Sequence, residues 1–182
     1  MNNWKETLLN YYIEKNAILS GKFKLKNGAI DNLYIDNRII TTSSIGLKAI
    51  ITGMNELIEE FKLLSNNTNI VVPAISGISI GKSLSLNRDI QFIIDRGKFK
   101  NHGTCKRFEG LFSESKSCLV IDDLITKGIT IIQTIEGLNN INKSVKNVLV
   151  VIDREENGKE ILNNLGITLH SLLTKTELLE IL

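Results

Sequence analysis

Residues 117–130 constrain the fold more than any other part of the sequence. They open with an uncharged apolar run at residues 118–121, which is typical of a strand buried on both faces of a sheet. Two adjacent carboxylates, Asp122 and Asp123, follow this run. After a short loop over residues 126–130, apolar residues recur at three- and four-residue steps and predict a helix; they are Ile131, Ile135 and Leu138. The segment therefore predicts a strand, an acidic edge, a glycine-containing loop and a helix.

The loop at residues 126–130 suits a phosphate group. Its consecutive backbone N–H groups, its threonine hydroxyls and the positive end of the following helix can all face an anion. The carboxylates of Asp122 and Asp123 repel a phosphate but suit the hydroxyls of a sugar. We therefore expect a sugar-phosphate site; the alternative is a buried strand followed by an ordinary turn, although carboxylates are seldom buried unpaired.

Strand and helix patterns alternate along the chain from Asn69 onward. Such alternation predicts an α/β fold, in which a mostly parallel sheet is covered by helices on both faces. Ligands of such sheets lie beyond the carboxyl ends of the strands. We therefore expect the polar loops of the sheet to meet at one edge; they follow Val72, Ile94, Ile121 and Ile152.

The first 40 residues fall outside this alternation. Their apolar pattern predicts an amphipathic helix that ends near Asn16, then two short strands on either side of a turn at Asn27 and Gly28. The clearest helix of the sequence follows at residues 47–61. We expect one domain over residues 1–182, in which residues 1–40 contribute a small hood and residues 69–173 form the core sheet.

Charge and composition argue against several classes of protein. The net charge is +2 over 182 residues, and no lysine or arginine block is dense enough for a nucleic-acid arm. No apolar run approaches membrane-spanning length, and the N-terminus has no apolar signal region. Two cysteines, Cys105 and Cys118, do not make a disulfide framework. We expect a soluble, cytoplasmic protein that binds neither nucleic acid nor membrane.

A polar stretch without periodicity at residues 95–107 predicts a basic loop. Cations on a flexible loop can close over a polyanion and neutralise charge that develops on a leaving group. The alternative is an ordinary solvated loop. Its basic side chains are Arg96, Lys98, Lys100, His102, Lys106 and Arg107.

Arg154 directly follows another apolar strand at the expected ligand edge. A planar guanidinium suits a carboxylate or the edge of a heterocycle through paired hydrogen bonds. The alternative is a local ion pair, because Asp153 and Glu155 flank it.

Residues 120–130 resemble the phosphoribosyl-pyrophosphate (PRPP) signature of type I phosphoribosyltransferases. Further segments, in the same order over nearly the whole chain, are similar to those of orotate phosphoribosyltransferases; they are residues 23–28, 33–38, 96–103, 108–110, 152–158 and 166–174. The resemblance implies the type I phosphoribosyltransferase fold, with a central mostly parallel sheet, helices on both faces and a small N-terminal hood.

The resemblance also implies an activity. Members of this family transfer 5-phosphoribose from PRPP to N1 of orotate, giving orotidine 5′-monophosphate and pyrophosphate on the route to UMP. Mg²⁺ is the implied cofactor, bound mainly through substrate oxygens and water with no direct protein ligand. A homodimer is implied, in which the loop at residues 96–107 reaches the neighbouring subunit's site.

Site residues follow from the same resemblance. The implied catalytic residues are Arg96, Lys100, His102, Asp122 and Asp123. The first three would close over the pyrophosphate, and the acidic pair would hold the ribose hydroxyls or metal-bound water. The remaining PRPP-binding residues are Leu124, Ile125, Thr126, Lys127, Gly128, Ile129 and Thr130. Thr126 and Arg154 would contact orotate.

Four places depart from the family pattern. Gly97 and Leu19 replace lysines, Ser76 replaces a lysine that some relatives carry, and Asp31 and Asn32 replace a Ser-Pro pair. These changes remove positive charge around the pyrophosphate. Two other functions stay open, namely a phosphoribosyltransferase for another base and a non-catalytic PRPP-binding regulator.

Overall fold

The computed structural model describes residues 3–24, 30–65, 67–97 and 106–182. In this part of the chain the helices are α1 (Trp4–Glu14), α2 (Asn37–Thr41), α3 (Ser44–Glu60), α4 (Ile78–Arg88), α5 (Ile129–Asn139), α6 (Gly158–Asn164) and α7 (Lys175–Leu179). The strands are β1 (Ile18–Lys24), β2 (Ile30–Ile35), β3 (Asn69–Pro73), β4 (Phe92–Asp95), β5 (Phe108–Glu109), β6 (Ser117–Ile125), β7 (Ser144–Asp153) and β8 (Thr168–Thr174).

A six-stranded sheet forms the centre of the molecule, in the order β5-β4-β3-β6-β7-β8. All neighbouring strands are parallel except β4 and β5, which are antiparallel. Strands β1 and β2 form a separate antiparallel pair. The predicted mostly parallel sheet is confirmed.

Apolar residues of the sheet pack on both of its faces. Ile70 and Val72 of β3 belong to the cluster that contains the buried residues of α3 and α4. Val71, between them, belongs to the cluster that contains those of α5 and α6. Because side chains alternate along a strand, the two clusters lie on opposite faces. Helices therefore cover both faces, as predicted.

Helix α1 packs onto α3. Leu8 and Tyr12 are fully buried in the first cluster. Trp4 lies against Gly53, where an added Cβ would come within 2.7 Å of its ring, and its indole N–H donates to Glu56 at 2.6 Å. Helix α1 thus shares the main core, and the hood role of residues 1–40 stays a prediction.

Residues 117–130 differ from their prediction at two boundaries, the end of the strand and the start of the helix. Strand β6 does not stop at Ile121 but continues through Asp122 and Asp123, because its pairing with β7 runs on to Ile125 and Asp153. The loop is also shorter than predicted, since α5 already begins at Ile129. The acidic pair is therefore part of a strand.

Two short elements were not predicted from the sequence. Helix α2 has five residues and β5 has two, too few to carry a periodic pattern.

In the part of the chain that the structure describes, no helix is long and apolar enough to span a bilayer.

Candidate active site

The strands β3, β4, β6 and β7 end at the same edge of the sheet, because they run parallel. A small cleft of about 40 Å³ opens there. It joins the loop after β3, the start of the basic loop and the first turns of α5; its walls include Pro73, Ala74, Asp95, Arg96, Gly97 and Thr130. Two predicted site residues, Arg96 and Thr130, therefore line one cleft.

The acidic pair is buried at this edge, with Asp122 9 % and Asp123 7 % exposed. The backbone N–H of Asp123 donates to Oδ1 of Asp122 at 2.9 Å. Burial, reinforced by the neighbouring Asp123 carboxylate, holds the pKa of Asp122 well above its ordinary value. Burial also raises the pKa of Asp123, although hydrogen bonds from neighbouring groups offset part of this effect. Such a pair favours a bound cation or hydroxyl donors.

A glycine closes the floor of this edge from the side of α4. A Cβ on Gly77 would lie 3.0 Å from the carbonyl oxygen of Ile121 and 3.4 Å from Oδ1 of Asp122. The loop after β3 therefore lies close to the backbone of Ile121 and Asp122, and a side chain at residue 77 would require neighbouring atoms to shift by a few tenths of an ångström.

The loop that we expect to bind a phosphate consists, in the structure, of Thr126, Lys127 and Gly128. Gly128 has a φ of +74°, a left-handed conformation that favours glycine, and its carbonyl accepts the N–H of Ile132 at 2.8 Å. No side chain of the described residues caps this start of α5. The first N–H groups of the helix thus remain for an anionic ligand.

Helix α6 presses on the same loop through Gly158. A Cβ at this position would lie 2.4 Å from the carbonyl oxygen of Thr126 and 2.8 Å from Ile125. Beside it, the backbone N–H of Arg154 donates to the carbonyl of Ile125 at 3.0 Å. These two contacts bring Thr126 and Arg154 to adjacent ends of β6 and β7.

Arg154 is buried, with 8 % of its surface exposed. Its Nε donates to Glu156 at 2.9 Å, and its Nη2 lies 3.5 Å from the carbonyl oxygen of Leu33 in β2. The local ion pair considered from the sequence does form, but with Glu156 instead of the flanking acids. Arg154 also connects the end of β7 with the β1–β2 pair.

The basic loop is fastened at its base by a buried ion pair. Asp95 is 1 % exposed, and it accepts hydrogen bonds from Nε and Nη2 of Arg107 at 2.8 and 2.7 Å. The N–H of Gly97 donates to Asp95 at 2.8 Å, and the N–H of Arg96 donates to the carbonyl of Arg107 at 3.1 Å. Arg107 also donates to the carbonyl of Gln133 in α5 at 2.8 Å. The base of the basic loop is therefore bonded to α5, the helix that follows Thr126, Lys127 and Gly128.

This ion pair corrects one expectation for the loop cations. Arg107 is committed to Asp95, so it is not a free cation that could close over a ligand. Arg96 pairs more loosely with Glu109, at 3.4 Å, and is 40 % exposed. Lys98, Lys100 and His102 lie outside the described residues.

We predict that Asp95 stabilises the fold in a pH-dependent way. Burial would raise the pKa of Asp95, but hydrogen bonds from Arg107, Gly97 and Thr134 outweigh burial and lower it. A lowered folded pKa adds stability above the unfolded value of about 4, and this stability is lost as the pH falls through the folded pKa. D95N should cost roughly 3 kcal/mol at pH 7. Urea unfolding at pH 7, 5 and 3 measures the difference in the free energy of unfolding between the wild type and D95N. The prediction would be contradicted if this difference were as large at pH 3 as at pH 7.

Three contacts of the site were missed from the sequence: Asn37 beside Asp123, Asp95 with Arg107, and Gly158 against Thr126. Each joins residues at least 12 positions apart, so no local pattern announces it. A paired acid and base at the two ends of one loop was the only available signal.

The chain was compared with known proteins and structures. No family model matches it. It is 32 % identical to an orotate phosphoribosyltransferase of Pyrococcus horikoshii, over 96 % of this chain and 92 % of the relative. It is 29 % identical to a uridine 5′-monophosphate synthase of Caenorhabditis elegans, over 93 % of this chain and 34 % of the longer relative.

Its fold is similar to the crystal structure of orotate phosphoribosyltransferase from Aeropyrum pernix. The TM-score is 0.81 at 25 % identity, with 95 % of this chain and 97 % of the other covered. The mostly parallel sheet is thus that of a type I phosphoribosyltransferase. Full-length sequence similarity and shared architecture agree, and the chain belongs to the orotate phosphoribosyltransferase family.

Proposed function

We propose that the protein transfers 5-phosphoribose from PRPP to N1 of orotate and releases orotidine 5′-monophosphate and pyrophosphate, a step of pyrimidine biosynthesis. One observation carries the proposal most directly. A buried carboxylate pair, Asp122 and Asp123, stands beside the uncapped start of α5 at the carboxyl edge of a parallel sheet. Hydroxyl acceptors next to an anion site match a ribose phosphate.

PRPP would bind along residues 122–130. The carboxylates of Asp122 and Asp123 would accept hydrogen bonds from the ribose hydroxyls. Leu124 and Ile125 would lie along the bound sugar. The 5′-phosphate would take the N–H groups of the loop and helix start; the residues are Thr126, Lys127, Gly128, Ile129 and Thr130. The left-handed Gly128 supports this role, because it turns successive N–H groups toward one point.

Pyrophosphate would leave toward the basic loop. Arg96 shares a cleft with Thr130, which supports its placement beside the phosphates. Lys100 and His102 would complete the cationic cover from the same loop. Their charge would stabilise the pyrophosphate as its bond to C1 of the ribose breaks.

Orotate would lie between Thr126 and Arg154. These residues sit at adjacent strand ends, and Arg154 is buried, so its guanidinium would meet a carboxylate in a site that excludes water. The orotate carboxylate would compete with Glu156 for this group. A neutral purine offers no such partner, which favours orotate over other bases.

The reaction needs little proton transfer, because orotate is already an anion. Departure of pyrophosphate leaves oxocarbenium character on the ribose, as in glycoside cleavage. The residues of the site would therefore act by holding C1 against N1 and by stabilising charge.

The acidic pair also suits Mg²⁺, the implied cofactor. Among the described residues, no three His, Cys, Asp or Glu side chains are grouped to hold a metal. One or two carboxylates together with substrate oxygens and water are, however, a usual environment for Mg²⁺. Asp122 and Asp123 would hold it indirectly, through metal-bound water. When bound, Mg²⁺ would neutralise charge on the pyrophosphate.

We also propose a homodimer in which residues 96–107 act at the neighbouring subunit's site, in a cytoplasmic enzyme. The clamp of Asp95 and Arg107 supports this proposal, because it holds the two ends of the segment together. Analytical ultracentrifugation tests this assembly, and a fully active monomer would refute it.

A panel of bases tests the proposed specificity. With PRPP and Mg²⁺, the protein should turn over orotate but neither hypoxanthine nor adenine. R154A should lower kcat/KM for orotate about a hundredfold, because it removes a buried charged hydrogen-bond donor.

R88A provides a matched control for R154A. Arg88 is also ion-paired, to Glu59 at 2.7 Å, but it lies on α4 and bonds to Asn55 of α3. Its loss should leave orotate kinetics unchanged. Turnover of a purine without turnover of orotate would overturn the proposed base specificity.

A further inference from the structure

The end of β6 that carries Asp123 extends beyond its neighbour β3. The register of β3 with β6 ends at Val71 and Val120, whereas the register of β6 with β7 continues to Ile125 and Asp153. The last part of β6 therefore has a strand on one side only. On the side without a strand, other groups must hold its backbone.

Asn37 supplies such a group. Its Nδ2 donates to the backbone carbonyl of Asp123 at 2.8 Å, and the residue is 3 % exposed. A carbonyl only accepts hydrogen bonds, so the nitrogen of the amide must face β6 and its oxygen must face away. The same amide lies close enough to the Asp123 carboxyl to counter part of the effect of burial on its pKa.

The oxygen of this amide is held from the opposite side by Tyr12. The Tyr12 hydroxyl donates to Oδ1 of Asn37, and Tyr12 is fully buried in α1. Tyr12 thus fixes which end of the amide points at Asp123. Burial, with a contribution from the Asp123 charge, raises the pKa of Tyr12, so the hydroxyl keeps its proton.

The backbone of Asn37 is also fixed. Asp36 accepts the N–H of Arg38 at 3.2 Å and so caps α2, and its own N–H donates to the carbonyl of Ala17 at 2.8 Å. Helix α2 lies against α3 so closely that a Cβ on Gly46 would come within 2.6 Å of the carbonyl of Ile40. The amide is therefore presented from a rigid support.

We propose that Asn37 is a positioning residue for PRPP binding. Asn37 fixes the end of β6 so that the Asp123 carboxylate meets the ribose, and Tyr12 holds the Asn37 amide in the required orientation. Asn37 itself touches no substrate. The inference rests on the proposed function, since it assigns the acidic pair to PRPP. It gives Tyr12 of α1 and Asn37 of α2 a part in the site, although neither residue was among the site residues predicted from the sequence.

N37A tests the proposal, and N69A is its control. Asn69 is also fully buried, and its amide donates to backbone carbonyls of Ser115 and Ser117 at 3.3 and 3.2 Å. It lies at the opposite end of β6 from Asp123. Both substitutions remove a buried amide, so both should lower the unfolding midpoint.

Kinetics and binding separate positioning from stability. N37A should raise KM for PRPP about tenfold with a smaller change in KM for orotate, whereas N69A should change neither. Y12F should act in the same direction as N37A, because it frees the amide to rotate while keeping the ring. Calorimetry with ribose 5-phosphate and no added metal should show the same order of affinities.

The outcomes are distinct. The proposal would be overturned if N37A and N69A had equal PRPP kinetics and equal affinity for ribose 5-phosphate. It would also be overturned if Y12F had the same KM for PRPP and the same ribose 5-phosphate affinity as the wild type. If N37A does not fold, Y12F alone decides between the two results. Absence of orotate turnover in the wild type would contradict the proposed function instead, and the ribose 5-phosphate measurements would still test Asn37.

Discussion

Replacing the acidic pair, as D122N/D123N, is expected to lower kcat/KM for PRPP at least about a hundredfold while making the folded protein more stable at neutral pH. Activity falls because two charged acceptors for the ribose hydroxyls or metal-bound water are lost. Stability rises because both carboxylates are buried, and the charge of Asp123 further disfavours the charge of Asp122. Activity and stability thus change in opposite directions.

The gain in stability should depend on pH. Both carboxyls have raised pKa values in the folded protein. The folded state then keeps protons that the unfolded chain releases, so the contribution of this pair to stability is fully present below about pH 4 and is lost as the pH rises toward the raised values. The double variant lacks both carboxyls, and its advantage should appear over this window.

Urea unfolding between pH 4 and 8, together with initial rates, measures both effects. D95N serves as the control, because Asp95 is a buried acid of the same edge whose pKa is lowered. It should lose stability at neutral pH where D122N/D123N gains it. A double variant that is less stable than the wild type at pH 7, or that retains full activity, would argue against the account.

G158A is the second substitution with a large expected effect, raising KM for PRPP by about ten- to a hundredfold. The added Cβ would meet the backbone carbonyl of Thr126 at 2.4 Å and Ile125 at 2.8 Å. Backbone atoms cannot rotate away as a side chain can, so the loop of Thr126, Lys127 and Gly128 must shift. Displaced phosphate contacts weaken ligand binding, and the strain should lower stability by roughly 1–3 kcal/mol.

G53A is the matched control for G158A. Its Cβ would also clash, at 2.7 Å, but with the ring of Trp4 on the α1–α3 contact. It should lower stability without altering the binding of PRPP. Isothermal titration with PRPP compares the two, and equal affinities for G158A and G53A would refute the role given to Gly158.

The sequence predicted those features that depend on local pattern. Alternating apolar strands and amphipathic helices indicated the parallel sheet, and the positions of the polar loops indicated that they share one edge of this sheet. The carboxylates of Asp122 and Asp123 could be placed because they directly follow an apolar run. The strand boundary was wrong by four residues, since pairing with β7 carries β6 through the acidic pair to Ile125.

Long-range contacts could not be predicted in this way. The bond from Asn37 to Asp123 spans 86 positions, and the pair of Asp95 and Arg107 closes a loop whose composition alone suggested a set of free cations. Gly158 matters because of the carbonyl it meets, which only the packing of α6 reveals. Such contacts depend on tertiary packing and leave no periodic signal.

The central claim is tested most directly by the absorbance of orotate when purified protein is mixed with PRPP and Mg²⁺. We predict that orotate is consumed as orotidine 5′-monophosphate and pyrophosphate form in equal amounts, that omission of PRPP abolishes this loss, and that K100A slows it about a hundredfold. Protein that binds PRPP but never consumes orotate would contradict the account and identify a regulator instead.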